Sequence, residues 1–362
     1  MKKIIITGGL GYIGMELSKI YSGKSRYLDI TVIDNKFYSN RVSQLKRWGI
    51  NFEHIDILDF EKLEKHISKA DLIYHLAGVT DVGTTKNDIN NERDKLVRSV
   101  GIKGTQNIIK LSQDNVKIIF PSTHVVFEGL NKVTKSIEET ADPKPILEYA
   151  KGKVNSEKDL LNSNKDYVIL RLGSVYGNSY DSTRLNIMTN VFSKITASDG
   201  KIKLFSGGNQ LKSLVSVNDV ARCMEFVGES QEIKNEIFNC VNENLTVKQV
   251  ADICKKKNKN IQIINTKDSV PNKGYSLSNQ KIKNYGFEFL YNLEKSIDEM
   301  VKSWMNREII TTNEEIEIGS DNFIDDRGII SNYYFDDSIN MIGYVESKKE
   351  TVRGNHYHPI QT

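Results

Sequence analysis

Cysteine is scarce in this 362-residue chain: Cys223, Cys240 and Cys254 are odd in number, stand in apolar contexts and lack metal-ligand spacing. That pattern excludes a disulfide framework and a cysteine metal site, and it fits a reducing compartment. No apolar run approaches the roughly 18 residues of a membrane span. The opening MKKIIITGG has only a few apolar residues before its glycines, so it reads as a first strand and not as the h-region of a signal peptide. A cytoplasmic location with no membrane partner is expected. An excess of one charge is also lacking, since 50 Lys and Arg face 47 Asp and Glu for a net +3. The basic residues form no stripe, which speaks against nucleic acid as a partner. Neither an internal repeat nor a low-complexity tract is present.

What the chain does have is 38% hydrophobic and 27% charged residues, the balance of a soluble globular protein. Its length suits one large domain or two or three ordinary ones. Six apolar segments read as strands: KKIIITGG, DITVIDN, NFEHIDILD, ADLIYHLAG, DNVKIIFPST and DYVILRLGSVYG. Helical patterns separate them, at about residues 12–21, in FEKLEKHISK, and at 100–111 and 149–161. Strands alternating with helices predict an α/β class fold, a doubly wound parallel sheet covered on both faces. After Gly177 the rhythm loosens into GNQLKSLVSVNDVARCMEFV, a strand and a helix, and two further helices in NLTVKQVADICKKK and NLEKSIDEMVKSWMNRE.

The first strand runs into TGGLGYIG, which spaces Gly8, Gly11 and Gly14 at intervals of three. Glycines there permit a tight turn and let backbone N–H groups approach a pyrophosphate at a helix N-terminus. An ordinary glycine-rich turn would show the same spacing, so the context decides. Asp34 ends the second strand, 20 residues past Gly14, where a carboxylate can take both ribose hydroxyls of an adenosine. The same charge repels a 2′-phosphate, which favours NAD over NADP. Asp56, at the expected end of the third strand, could reach the adenine amino group, or could be a surface turn residue. Further along, Tyr149 and Lys153 are four apart in EYAKGKV and share one helix face. An unperturbed tyrosine, with a pKa of about 10, is a poor base at neutral pH; a nearby ammonium and a cationic ring bring it into range. Thr123 lies at a strand end before them.

These motifs together, with HLAG, STHVVF, RLGSVYG and LVSVNDVA, resemble the extended short-chain dehydrogenase/reductases that act on nucleotide sugars, the NAD-dependent epimerase/dehydratase group. The resemblance covers about residues 1–307. It implies a Rossmann-type domain over 1–177 with a return segment at 212–241, and a smaller substrate-binding lobe from 178–211 and 242–307. It implies that Thr123 hydrogen-bonds the reacting sugar hydroxyl, that Tyr149 takes or gives its proton, and that Lys153 holds the nicotinamide ribose. Around the cofactor it places Gly8, Gly11, Tyr12, Ile13 and Gly14, then Asp34, Asn35, Asp56 and Ile57, then Leu76, Ala77, Gly78 and Thr80. Around the substrate it places Thr80, Thr123, His124, Ser174, where relatives often carry asparagine, and Lys212, where an arginine commonly meets the diphosphate. A lysine keeps that charge but loses the bidentate fork. Gly101 departs from the pattern, standing where an asparagine usually precedes x-x-G-T. By analogy, helices containing VGIKGTQNIIKLSQ and YAKGKVNSEKDLL would form a homodimer interface, although their apolar faces could equally pack on the sheet.

Reaction type turns on PSTHVVFEG. Sugar 4,6-dehydratases resemble S-T-D-E-V-Y there, and their elimination needs the acidic pair as general acid and base. This chain has His124 and Val125 instead, and valine cannot transfer a proton. An epimerase, C4 through a transient keto sugar, remains the leading reading. A 4-keto nucleotide-sugar reductase is the alternative, because S-T-D-Y-V-F-D-G resembles the Phe127-Glu128-Gly129 ending. A non-catalytic NAD-binding sensor is a third. His124 is either an extra proton donor or sugar contact, or a hydrogen-bonded wall residue. His54, His66 and His75 fit strand or helix faces and need no functional role. The tail over 316–362, with DDRGIISNYYF and VRGNHYHP, resembles the start of cupin domains of sugar ketoisomerases and 3,5-epimerases. His356 and His358 would be the first ligands of its H-x-H motif, but a metal needs three or four protein ligands. No metal is expected here, and the tail is read as a cut or vestigial cupin after a linker within 308–362.

Overall fold

A strand made of consecutive isoleucines has no polar face to give to water, so it must be covered on both sides. The computed structural model of the chain bears this out: Ile4, Ile5 and Ile6 are fully buried in the first strand. It describes residues 1–80, 91–180, 184–267 and 274–305, and the backbone of strands at 320–325, 328–334 and 341–347. Two units are present, Met1–Trp304 and Met305–Thr362.

In the first unit, strands β1 (Lys2–Thr7), β2 (Leu28–Asp34), β3 (Asn51–His54), β4 (Leu72–His75) and β5 (Lys117–Thr123) alternate with helices α1 (Tyr12–Ile20), α2 (Ser39–Arg47), α3 (Phe60–Ile67), α4 (Asn91–Arg98) and α5 (Gly104–Leu111). Then follow β6 (Thr134–Ile137), α6 (Glu148–Leu161), β7 (Asp166–Leu172), β8 (Ser174–Tyr176), α7 (Met188–Ala197), β9 (Lys201–Phe205), β10 (Leu211–Ser216), α8 (Val217–Glu229) and β11 (Glu236–Cys240). The last elements are β12 (Glu243–Thr246), α9 (Val247–Lys257), β13 (Gln262–Thr266), β14 (Tyr275–Leu277), α10 (Gln280–Asn284) and α11 (Leu293–Met305).

The main sheet has seven strands in the order β11-β7-β5-β4-β1-β2-β3, every neighbouring pair parallel. Met15 and Leu17 of α1 and Val220 and Met224 of α8 pack on one face, and Leu63 of α3, Ile108 of α5 and Leu160 of α6 on the other. This is the doubly wound Rossmann arrangement. Its winding reverses between β1 and β4, and in such sheets the crevice at that reversal, beyond the carboxyl ends of the strands, is the ligand site.

Two strands depart from the sequence expectation. β3 stops at His54, and Asp56 lies beyond it in a turn closed by Leu58 N–H donating to Asp56 Oδ1 at 2.8 Å and Asp59 N–H to the Asp56 carbonyl at 2.9 Å. The sixth strand breaks at Gly173. A side chain there would meet the Ser213 carbonyl oxygen at 2.8 Å, and past this point β8 leaves the large sheet to pair with β10. The helix expected over 100–111 is also composite, with a π-helical turn at Ser99–Lys103 leading into α5.

Outside the main sheet, β8, β10 and β12 form one sheet and β9 pairs with β13 in another, and a core that includes Tyr176, Phe192, Leu204, Val250 and Ile297 packs there. Thr246 and Gln249 form a reciprocal capping box that starts α9. The second unit has β15 (Ser320–Asp325), β16 (Gly328–Tyr334) and β17 (Met341–Ser347) in an antiparallel sheet. Such a meander occurs in many β folds and does not support the cupin assignment. His356 and His358 lie outside the described residues. Among the described residues, no group of three His, Cys, Asp or Glu could hold a metal, and no helix is long and apolar enough to cross a membrane. All three cysteines are buried free thiols.

Candidate active site

The glycine loop turns at the edge of the β1/β4 crevice. Gly8 has φ +67°, a left-handed conformation that glycine adopts without cost. A Cβ on Gly8 would also lie 2.6 Å from the Ala77 backbone nitrogen, and one on Gly14 2.5 Å from Gly9 Cα. The spacing read in the sequence therefore has steric causes: Gly8 lets the turn approach β4, and Gly14 lets α1 approach the loop. No side chain caps α1 at Gly11, and its first turn, with Tyr12 and Ile13, holds no acidic residue. The amide groups there and the positive end of the helix dipole suit a phosphate. Asp34, half-buried at the end of β2, accepts from Leu10 N–H at 3.1 Å and Lys36 N–H at 3.0 Å. Burial pushes its carboxyl upward while these amides hold it down. Asn35 donates to Asp56 Oδ2 at 2.9 Å, so the two acidic positions read from sequence flank one end of the crevice. Ile57, just beyond, is buried, and the Asn107 amide donates to its carbonyl at 2.9 Å. These residues fit an adenosine diphosphate moiety such as that of NAD.

The other half of the crevice follows β4 and β5. Ala77 N–H donates to Thr7 Oγ1 at 3.3 Å, and Thr7 is bonded to His75 Nδ1 at 2.9 Å. His75 Nε2 meets Thr105 at 3.1 Å, and Thr105 donates to the Gly101 carbonyl at 2.7 Å. His75 is buried, and burial lowers its imidazole to about 3, so it is a neutral strut between β1, β4 and the π-helical turn. Leu76 precedes Ala77 and Gly78, which line a cleft with Phe120, Tyr149 and Lys153.

Tyr149 and Lys153 lie one turn apart on α6. Its start is fixed by Glu128, whose Oε1 accepts from Ile146 N–H at 2.8 Å and from Leu147 N–H. Burial pushes the Tyr149 phenol upward, while the Arg184 charge and, after it, the nearby Thr123 hydroxyl lower it. Lys153 Nζ donates to the Pro121 carbonyl at 2.7 Å and sits 4.4 Å from the centre of the Phe120 ring. Burial lowers that ammonium to about 8, with Glu157 opposing. Beneath, Ser122 and Arg171 both donate to Glu157, Arg171 through Nη2 at 2.8 Å and Nε at 3.2 Å, which ties β5, β7 and α6 together.

The sequence reading missed Arg184 and Tyr275. Arg184 Nη2 donates to the Thr80 carbonyl at 3.3 Å, reaching the crevice from the segment before α7. Tyr275, from β14, packs on His124 with ring centres 5.7 Å apart. His124 is buried, and Ser174, at the start of β8, is hydrogen-bonded to its ring at 3.2 Å. Lys212 is half-buried on β10; burial lowers its ammonium, Glu128 supports it, and its charge is felt at His124.

Comparison with known proteins gives a family match and several likenesses of fold. Residues 4–240 match the family described as NAD dependent epimerase/dehydratase. A dTDP-D-glucose 4,6-dehydratase of Dictyostelium discoideum is 24% identical over 259 residues, which make up 66% of this chain and 58% of that protein. A UDP-glucose 4-epimerase of Mycoplasma genitalium is 27% identical over 264 residues, 66% of this chain and 75% of that protein. The structure of Thermus thermophilus UDP-glucose 4-epimerase complexed with NAD superposes with a TM-score of 0.70 at 21% identity, covering 84% of this chain and 99% of that one. Bacillus cereus UDP-glucuronic acid 4-epimerase, solved with UDP-glucuronic acid and NAD, also gives 0.70 at 21%, covering 83% and 99%. At those identities the structural likeness establishes the fold.

Proposed function

Because the chain belongs to the NAD dependent epimerase/dehydratase family, we propose that it is a nucleotide-sugar epimerase acting at C4 through a transient 4-keto sugar. The observation that carries this reading is the placing of Thr123, at the carboxyl end of β5, close to Tyr149, which lines one cleft with Lys153. Beside Thr123, Val125 has no proton to transfer and both ring nitrogens of His124 are engaged within the protein, so the acid–base pair that an elimination needs is missing.

The crevice residues divide the work. Gly8, Gly11 and the start of α1 would hold the cofactor's diphosphate and Asp34 its adenosine ribose, which excludes a 2′-phosphate. Bound NAD supplies the acceptor and, on the return, the donor of a hydride. Tyr149 Oη takes the proton of the sugar hydroxyl while Thr123 donates to the phenolate and aligns the carbinol. When the keto sugar presents its opposite face, the same tyrosine returns the proton, and product and substrate have equal mass. Lys153, anchored on Pro121, would face the nicotinamide ribose, and Lys212 the sugar diphosphate.

The resemblance of Phe127-Glu128-Gly129 to 4-keto reductases has a structural cause. Glu128 holds the Ile146 and Leu147 amides just before α6, and Gly129 N–H donates to the Lys144 carbonyl at 2.8 Å, against which a side chain at residue 129 would clash. That motif therefore carries little weight for the reductase alternative. A mass-spectrometric screen of nucleotide sugars incubated without added cofactor separates the two. The expected result is conversion to an isomer of unchanged mass, abolished by Tyr149→Phe. A product two mass units heavier, formed only with NAD(P)H, would refute the epimerase.

A further inference from the structure

His124 takes no part in the chemistry above, yet both of its ring nitrogens are engaged. Its Nδ1 lies 3.0 Å from the Tyr275 hydroxyl and its Nε2 3.2 Å from Ser174 Oγ. The same Tyr275 hydroxyl lies 2.9 Å from the His124 carbonyl oxygen. A phenol has one proton and a carbonyl has none. Two bare oxygens at that distance repel, so the Tyr275 proton is committed to the carbonyl. The phenol oxygen can then meet Nδ1 only as an acceptor, which puts a proton on Nδ1. In a neutral imidazole Nε2 is then a bare lone pair, and Ser174 must donate its own proton to it. What remains on Ser174 Oγ is lone pairs alone.

The ring stays neutral because burial pushes its pKa down to about 3 and the Lys212 ammonium adds to that push. Tyr275, Ser174 and Lys212 are the polar groups around it, with Glu128 acting on Tyr275 and Lys212. Ser174 lies two residues past Leu172, the partner of Thr123 across β5 and β7, so its hydroxyl sits at the same carboxyl edge as Thr123.

We infer that His124 is a positioning residue, locked by Tyr275 in the Nδ1–H tautomer so that Ser174 offers the bound sugar only hydrogen-bond acceptors. This rests on the reading that the sugar enters beside Thr123. The substrate group meeting Ser174 must then be a donor, a sugar hydroxyl or an amide N–H, and not a carboxylate.

Nitrogen NMR of the full chain labelled with ¹⁵N-histidine tests the lock without substrate. The chain has six histidines, and His124→Gln or His124→Asn assigns the relevant signals. The expected spectrum has Nδ1 protonated and Nε2 bare, unchanged from about pH 5.5 to 8.5, well above the lowered titration of the buried ring. Tyr275→Phe removes the acceptor at Nδ1 and should move the ring towards the Nε2–H form. A wild-type Nε2–H tautomer, or an imidazolium forming near pH 6.5, overturns the inference. Because no turnover is measured, a failed nucleotide-sugar screen would sink the epimerase reading and leave this result standing. For a sugar that the screen shows to be converted, Ser174→Ala should raise KM about three- to tenfold with kcat little changed, the effect of one lost hydrogen bond. An unchanged KM would overturn the role given to Ser174.

Discussion

Replacing Glu157 with alanine leaves the Arg171 guanidinium buried without its carboxylate. The two side chains are only 3% and 4% exposed, and they meet at 2.8 and 3.2 Å in a two-pronged contact. At an effective dielectric constant near 20, a unit pair at that separation attracts by about 6 kcal/mol, much of it offset by the desolvation of both ions. Removing one ion keeps the other's desolvation cost and loses its compensation, which typically costs ~3–5 kcal/mol. Arg171 retains the Glu139 carbonyl at 3.0 Å and the Phe127 ring at 5.3 Å, so the lower end of that range, ~3 kcal/mol, is expected. That corresponds to a fall of roughly a hundredfold in the folded-to-unfolded ratio. The midpoint of guanidinium unfolding, followed by circular dichroism, measures it. The double variant Glu157→Leu/Arg171→Met removes both charges and should lie within about 1 kcal/mol of wild type. A single variant that loses under about 1 kcal/mol, or a double variant as unstable as the single, would refute the uncompensated charge as the cause.

Three further outcomes follow from other groups. Arg184→Gln removes the cation that lowers the Tyr149 phenol, so the acid limb of kcat/KM should move to higher pH; a pH–rate profile that stays in place would contradict Tyr149 as the base. Lys153 and Lys117 are both lowered by burial to about 8 from 10.5. Above pH 8 the unfolded chain therefore binds more protons than the folded one, and stability should rise with pH. The cost of burying these ammonium groups is fully present below pH 8. The rise should be read in urea midpoints between about pH 8 and 9.5, before buried tyrosines with raised pKa values, such as Tyr275, reverse it. Lys153→Met should flatten that slope. Gly8→Ala combines a left-handed residue, costing about 1–2 kcal/mol, with a contact against the immovable Ala77 backbone. It should lower the melting temperature by several degrees and abolish NAD binding measured by calorimetry; a variant that binds NAD normally would show that the turn is not the cradle.

Elements buried on both faces were the legible ones. The isoleucines of β1 and the runs in β2, β4 and β5 could be nothing but interior strands, and the glycine spacing marked where the crevice would open. Lengths were less legible, because a strand's end is set by tertiary partners. Asp56 folds back on Leu58, and Gly173 hands the chain to a second sheet only because the Ser213 carbonyl lies against it. Short polar strands such as TKSI in β6 and YSL in β14 have too few apolar residues to show a period, so their pairing went unseen. The site was half visible for the same reason. Thr123, Tyr149 and Lys153 sit in ordered motifs, but Arg184 is a lone arginine in a loop. Tyr275 meets His124 across 151 positions of sequence, and no local pattern carries such a contact.

That separation also sets an order in time. Everything needed for β1 to β5 and α1 has left the ribosome once residue 123 emerges, and the cradle for a dinucleotide can form then. The Tyr275 side chain that fixes the His124 ring arrives 151 residues later. At ~5–20 residues per second, that is a wait of roughly 8–30 s. Through that interval β1 to β5 and the glycine turn can already be in place, while the His124 ring beside Thr123 can still turn.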